Sequence, residues 1–328
     1  YNNTASNNTA VGNHSLLANT TGSLNTAFGA DSLKANTTGT INTAVGYQAL
    51  YTNTTGEQNV AVGHQALYTN NGNYNTAVGK DALEANTTGD NNTGIGYHSL
   101  DVNTTGDDNT GIGAYALDTN TTGSQNTACG YHALGDNTTT SQNTAVGYEA
   151  LGSNTANYNT AVGRQALASS TTGSRLVAVG NRALYTNSTG DYNTAVGDHS
   201  LNANTTGNQN SAFGYYALSA ATTASWNNAF GEGSLQNTTT GSDNTGFGHR
   251  TLQTNTTGSY NTAVGANALD AATTASNNTA VGRNSGTAIT TGYNNTTMGM
   301  SSLSALTTGF GNSCFGYSAG GSISTGLN

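Results

Sequence analysis

The chain has 328 residues, of which 34% are hydrophobic and 7% charged, with no proline, two cysteines and a net charge of −9. That is too little apolar material for two conventional globular domains, and the lack of charge and proline is equally unlike a disordered chain. Seven Lys and Arg in all argue against nucleic-acid binding and against an anionic membrane surface, and no apolar run approaches the roughly 20 residues of a spanning helix.

Along the chain a single phrase recurs. A glycine closes an Asn-Thr-Ala-Val-Gly motif at Gly12, Gly29, Gly46 and Gly63, and so on to Gly316, nineteen times in all. The step is seventeen residues except for the two cycles ending at Gly79 and Gly163, where it is sixteen. A fixed period of this length is the signature of a solenoid, each cycle being one coil that cannot bury its apolar residues without a neighbour. The cycle Asn42-Thr-Ala-Val-Gly46-Tyr-Gln-Ala-Leu50-Tyr-Thr-Asn53-Thr-Thr-Gly56-Glu-Gln58 defines positions 1 to 17. Tyr1 then falls in mid-cycle, at position 11, so a mature, truncated or partial product whose export signal lies elsewhere is expected.

Positions 1 to 4 alternate in character and predict a short strand, with positions 2 and 4 on one face and position 3 on the other. Position 4 is always apolar and position 9 is almost always Leu, failing only at Gly286 and Gly320. These two columns are the expected core, with a second short strand over positions 8 to 11 and turns at Gly-x-x and at Asn-Thr-Thr-Gly. The glycine at position 15 is expected to use its freedom at positive φ. The fold class is therefore all-β: a parallel β-solenoid, or left-handed β-roll, of about nineteen coils, regular over 1–282 and degenerate over 283–328. The degenerate coils are the expected cap or junction with a further subunit or domain.

Four sets of residues stand out as sites. Asn occupies position 1 in all cycles but that of Leu176, and Asn8, Asn25, Asn42, Asn59 and Asn75 read as a structural ladder of carboxamides. Position 3 is restricted to small residues such as Ala27, Ala44, Ala61, Ala77 and Gly94. The restriction implies close packing, either against the opposite side of the same narrow coil or, as an assembly face, against a neighbouring chain; a thin core favours the neighbour, in a homotrimer or an end-to-end filament. Tyr47, Tyr97, Tyr131, Tyr148 and Tyr215 at position 6 form a candidate aromatic edge for glycan or surface recognition. Asn19, Asn36, Asn53, Asn86, Asn103, Asn120, Asn187, Asn204 and Asn255 each begin Asn-x-Thr in the long turn and are formally N-glycosylation acceptors.

The phrase Asn-Thr-Ala-Val-Gly-x-x-[Ala/Ser]-Leu, at Asn42 to Leu50 and Asn143 to Leu151, resembles the repeats of trimeric autotransporter adhesin heads and of tail-fibre-like proteins of phages and bacteria. The resemblance covers essentially the whole chain, although the adhesin-head cycle is shorter. It implies a left-handed β-roll, three chains side by side, on a cell or virion exterior.

No catalytic constellation emerges. The six histidines all fall at positions 6 or 7 with no metal-ligand spacing, and Asp107-Asp108 lacks the glycine pattern of calcium-binding rolls. Cys129 and Cys314 are eleven coils apart, on the order of 50 Å, and read as small apolar fillers. No enzyme, metal or cofactor is expected. A structural extracellular fibre or shaft is the leading expectation, with a glycan- or surface-binding module second. Ice binding is third, since position 2 threonines are expected to face inward.

Overall fold

The computed structural model describes residues 5–325. Nineteen strands of three residues, from β1 (Thr9–Val11) to β19 (Ser313–Phe315), run parallel and build a β-solenoid of about 17 residues per turn. There is no helix among the described residues. The chain forms two compact units, Tyr1–Asn159 and Thr160–Asn328. Within each, successive strands pair in unbroken register, Thr43 with Val60, Ala44 with Ala61 and Val45 with Val62. The sixteen-residue cycle leaves this register intact, Val60 pairing with Thr76.

Each coil contains one strand, not the two expected. Positions 6 to 11 form a chain of turns in which positions 7 and 9 are left-handed, as at Gln48 (φ 56) and Leu50 (φ 51). The ladder nevertheless continues through them. The N–H of Gln48 donates back to the Ala30 carbonyl at 3.0 Å, whereas the N–H groups of Leu50 and Thr52 donate forward to Ala66 and Tyr68 at 3.0 and 2.9 Å. A left-handed residue reverses the direction of its peptide groups, so these turns bond to both neighbouring coils where a second strand would have required extended backbone.

The core also differs from expectation. Position 3 points inward and is buried in every strand from β2 to β18, and positions 2 and 4 point outward. Ala27, Ala44, Ala61, Ala77 and Gly94 are thus inside the coil, where no second chain can reach them, and they do not form an assembly face. They are small because the opposite side of the same coil is close: a Cβ on Gly94 would lie 3.2 Å from Leu83 Cγ and from the Ser99 carbonyl oxygen. The buried apolar set is positions 3, 8 and 9, such as Ala44, Ala49 and Leu50. Cys129, at position 4, is correspondingly on the outer face.

Two asparagine columns fill the rest of the interior. At position 1, Asn42 Nδ2 donates to the Gly56 carbonyl at 2.8 Å, its N–H donates to Asn25 Oδ1 at 2.9 Å, and its own Oδ1 accepts from the N–H of Asn59 at 2.9 Å. Asn25, Asn59 and Asn75 make the same three links, and Asn8 the two of its carboxamide. At position 12, Asn103 Nδ2 donates to Asn86 Oδ1 at 2.8 Å and to the Gly106 carbonyl at 3.0 Å. Glycine at position 15 is favoured for space and not for positive φ, although Thr140 stands there hydrogen-bonded to Asn137. A Cβ on Gly56 would sit 2.4 Å from Asn53 Oδ1 and 2.5 Å from the Gly72 carbonyl oxygen. In two coils where alanine stands at position 15, Ala224 and Ala275, position 12 is also alanine, Ala221 and Ala272, and the obstructing carboxamide is gone.

The degenerate residues 283–325 continue the stack, Val281 pairing with Met298 and Met298 with Phe315. Where leucine is lost at Gly286, the apolar side chain is supplied from position 12 by Ile289, fully buried, whose Cδ1 would lie 3.1 Å from a Cβ at Gly286.

Similar exchange of volume links positions 3 and 8. Ser99 Oγ donates to the Gly111 carbonyl at 2.9 Å and would lie 2.7 Å from a Cβ at Gly111. Gly111→Ala is expected to cost about 1–3 kcal/mol by overpacking. Combining it with Ser99→Ala recreates the Ala-Ala pair of regular coils and should recover most of that loss, as measured by denaturant titration of both variants.

Candidate functional site

With the interior filled by alanine, leucine and carboxamides, the chemically diverse side chains occupy the turn face, at positions 6, 7 and 10. Of the proposed aromatic edge, Tyr47, Tyr97, Tyr131, Tyr148 and Tyr215 are all exposed there. The structure joins three of them in one run. Tyr97 meets Tyr115 edge to face at 5.4 Å, Tyr115 meets Tyr131 at 5.9 Å, and Tyr131 stacks on Tyr148 at 5.4 Å. Tyr47 stands apart against His64. Tyr215 lies in the second unit, edge-on to Tyr216, whose ring stacks on His199.

Beside this run is an acidic column that the sequence reading passed over. Glu84, Asp101 and Asp118 are successive occupants of position 10, a signal visible as three carboxylates at one position in consecutive cycles. Asp81 is buried next to them, held by Lys80 and by His64 Nδ1 at 3.4 Å. His98 bridges to this group, Nδ1 to Asp101 at 2.5 Å and Nε2 to Asp81 at 3.5 Å. Burial, reinforced by the Asp101 and Asp81 charges, pushes the Glu84 carboxyl above the usual range. Burial likewise raises Asp118, whose Oδ1 has no hydrogen-bond partner. Among the described residues no three His, Cys, Asp or Glu side chains converge so as to hold a metal ion.

The glycosylation reading is corrected by burial. Asn36, Asn53, Asn86, Asn103, Asn120, Asn187, Asn204 and Asn255 are fully buried members of the position 12 column, and Asn19 is half-buried. Their Nδ2 groups are already engaged, Asn19 and Asn36 donating to the Gly22 and Gly39 carbonyls at 2.9 and 3.0 Å. A glycan on such a nitrogen is incompatible with the folded coil. Asp107 also has an internal role, its Oδ1 accepting from the Asp90 N–H at 2.8 Å.

The outer strand face was likewise assigned the wrong way round. Position 2 threonines are exposed or half-buried on the outside, which removes the reason for setting an ice-binding face aside. The outward phrase is, however, Thr-x-Val or Thr-x-Phe, and Val60, Val177 and Asn228 interrupt the hydroxyl row. None of the 57 strand residues is charged.

No family model matches the chain, and no curated protein matches it.

The raised Asp118 carboxyl gives a signed expectation. A carboxyl whose folded pKa exceeds its unfolded value penalises the fold above that folded pKa, and the penalty is relieved as pH falls through it toward the ordinary 3.8. Asp118→Asn should therefore raise the melting temperature at pH 7, on the order of 1–2 °C for a half-exposed group. The gap to wild type should close as the pH approaches 4 in parallel thermal scans.

Proposed function

We propose that this protein is a non-enzymatic structural fibre element, working outside the cell as the adhesin-head resemblance implies, and assembled by lateral association of identical chains through the outer strand face. One observation carries the reading: position 4 is apolar in all nineteen coils although it points to solvent. Phe28 and Phe247 are each 57% exposed and Ile112 is 40% exposed. Single exposed apolar side chains are ordinary, whereas a continuous column of them, flanked by uncharged Thr, is characteristic of an interaction surface.

The occupant that fits best is a second copy of the same chain. A partner must present matching contacts at every ~4.8 Å of coil spacing, and another solenoid of this sequence does so by construction. The nine or ten strands of each unit, about 10 Å wide, offer ~400 Å² of face, and a standard stable interface of ~800 Å² per partner requires the faces of both units. Three such chains about an axis would be the arrangement the resemblance implies. The function would be mechanical, since the ladder leaves little loose backbone for proteases.

The test is sedimentation of the wild type and of a Val78→Lys/Val146→Lys variant. Each lysine would strand an unpaired charge in an apolar contact, at a cost of at least about 2 kcal/mol. The wild type is expected to sediment as a dimer or trimer and the variant as a monomer with unchanged circular dichroism. A wild type that stays monomeric at ~100 μM, far above the dissociation constants of stable interfaces, would overturn the proposal.

A further inference from the structure

On the turn face of the second unit, position 7 side chains form a stacked column in which His199 and Tyr216 lie 5.1 Å apart and 9° from parallel. The next occupant is Gly233, the one glycine at position 7 among the described residues. The missing side chain leaves a cavity of about 280 Å³ between Tyr216 and Arg250, lined also by Tyr215, Glu232, Gln236 and Gln253.

Nothing in the fold requires that glycine. Its φ of 62° lies close to the 56°, 52°, 59° and 54° that Gln48, His98, Tyr115 and Arg182 adopt at the same position with full side chains. The nearest atoms to a Cβ added at Gly233 would be Gln236 Oε1 and Gln253 Nε2 at 3.4 Å and Arg250 Cγ at 3.5 Å, which are ordinary contacts. By contrast, a Cβ on Gly231, two residues earlier, would lie 2.4 Å from the Gly248 carbonyl oxygen, so that glycine is a packing necessity. Gly233 is free of both constraints, and the gap it leaves is a feature in its own right.

The walls define what the gap can take. Tyr216 has one neighbour in His199, stacked on its ring, and another in Tyr215, perpendicular to it at 4.4 Å, and the two tyrosines together give the gap an aromatic wall. The rim mixes acceptor and donor groups of both charges, Glu232 and Arg250. In the floor Gln253 Nε2 donates to Gln236 Oε1 at 2.8 Å, which leaves the Gln236 amide as a donor and the Gln253 carbonyl as an acceptor. A ring with an apolar face and a rim of hydroxyls, each both donor and acceptor, matches this set, and the opposed rim charges select against a strongly charged ligand. The volume lies at the small end for ligand pockets and admits one ring, not an oligosaccharide.

We propose that the Gly233 gap is a binding slot for a single neutral hexopyranose unit of a glycan, packed against the Tyr215–Tyr216 wall and hydrogen-bonded by Glu232, Gln236, Arg250 and Gln253. The proposal stands independently of lateral assembly, because slot and strand face use different residues.

Saturation-transfer difference NMR on the full chain tests it, with methyl α-D-glucopyranoside, methyl α-D-mannopyranoside and methyl β-D-galactopyranoside as probes and adenosine as the flat aromatic alternative. At least one glycoside is expected to give a saturable signal with a dissociation constant of about 1–10 mM, typical of one sugar ring on an open site. Gly233→Gln, which copies the residue at Gln48 and Gln65, should fold with unchanged circular dichroism and weaken that signal at least tenfold. Tyr216→Leu should do the same by removing one ring of the aromatic wall. No saturable signal from any glycoside, equal signals in wild type and Gly233→Gln, or saturation by adenosine alone would each overturn the proposal.

Discussion

The structure depends on one constraint: every coil must meet the next in register, at peptide-ladder distance, around its whole circumference. The strands supply only three residues per coil to that ladder. The rest comes from turns whose left-handed residues alternate the direction of their peptide groups, and from side chains that stand in for peptides. The Asn25 carboxamide receives the Asn42 N–H as a carbonyl would. In the shortened cycle, Asn71 Oδ1 takes the place of a missing carbonyl and accepts the Thr54 N–H at 2.8 Å. Each buried donor so satisfied avoids a penalty of about 1–3 kcal/mol, which is why a coil with so little apolar volume can be stable in a stack.

Where that constraint is locally broken, the consequences appear as orphaned atoms. The unpartnered buried oxygens include Oδ1 of Asn53, Asn204 and Asn255. Each sits beneath a coil that donates nothing back to it: in the short cycle Asn70 Nδ2 goes to the Gly72 carbonyl, and Ala221 and Ala272 have no amide to donate. Toward the last coils the column changes character altogether, to Ile289 and Leu306, both fully buried. The coil therefore tolerates either a connected polar column or an apolar filling, and it is strained only at the junctions between them.

The period, the all-β class and the carboxamide column at position 1 were legible because each is a one-dimensional signal: a residue type returning at fixed spacing. Which strand face lies inside was not. Alternation alone assigns positions 2 and 4 to one side and position 3 to the other, and the usual rule sends Val and Phe inward. Here the coil is so narrow that Leu50 and its homologues at position 9 already fill the space opposite the strand, leaving room for alanine or glycine alone. The same narrowness brought the Asn-x-Thr asparagines inside, although their flanking threonines and glycine read as an exposed turn. What could have revealed it is the exchange between positions within the repeat, Asn with Gly and Ala with Ala at 12 and 15, since residues that change together are in contact.

That exchange also separates what the fold demands from what it leaves open. Several interior changes come as compensated pairs, as Ser99 with Gly111 or Gly286 with Ile289, and others stay within small residues, as Ser32 and Ser200 beside Ala44 and Ala212. An outward position under no such constraint should drift among polar and charged residues, as position 10 does in passing from Lys34 through Tyr51 to Glu84. Position 4 points outward and does not drift. Val, Ile, Phe, Met and Cys replace one another there freely, so shape is loosely specified while polarity is not. A packed core would fix volume as well, because even one methylene is felt in a close-packed interior. Fixed polarity with variable volume is what the proposed lateral association requires, since a contact between chains needs an apolar column at each coil and not one fixed side-chain shape.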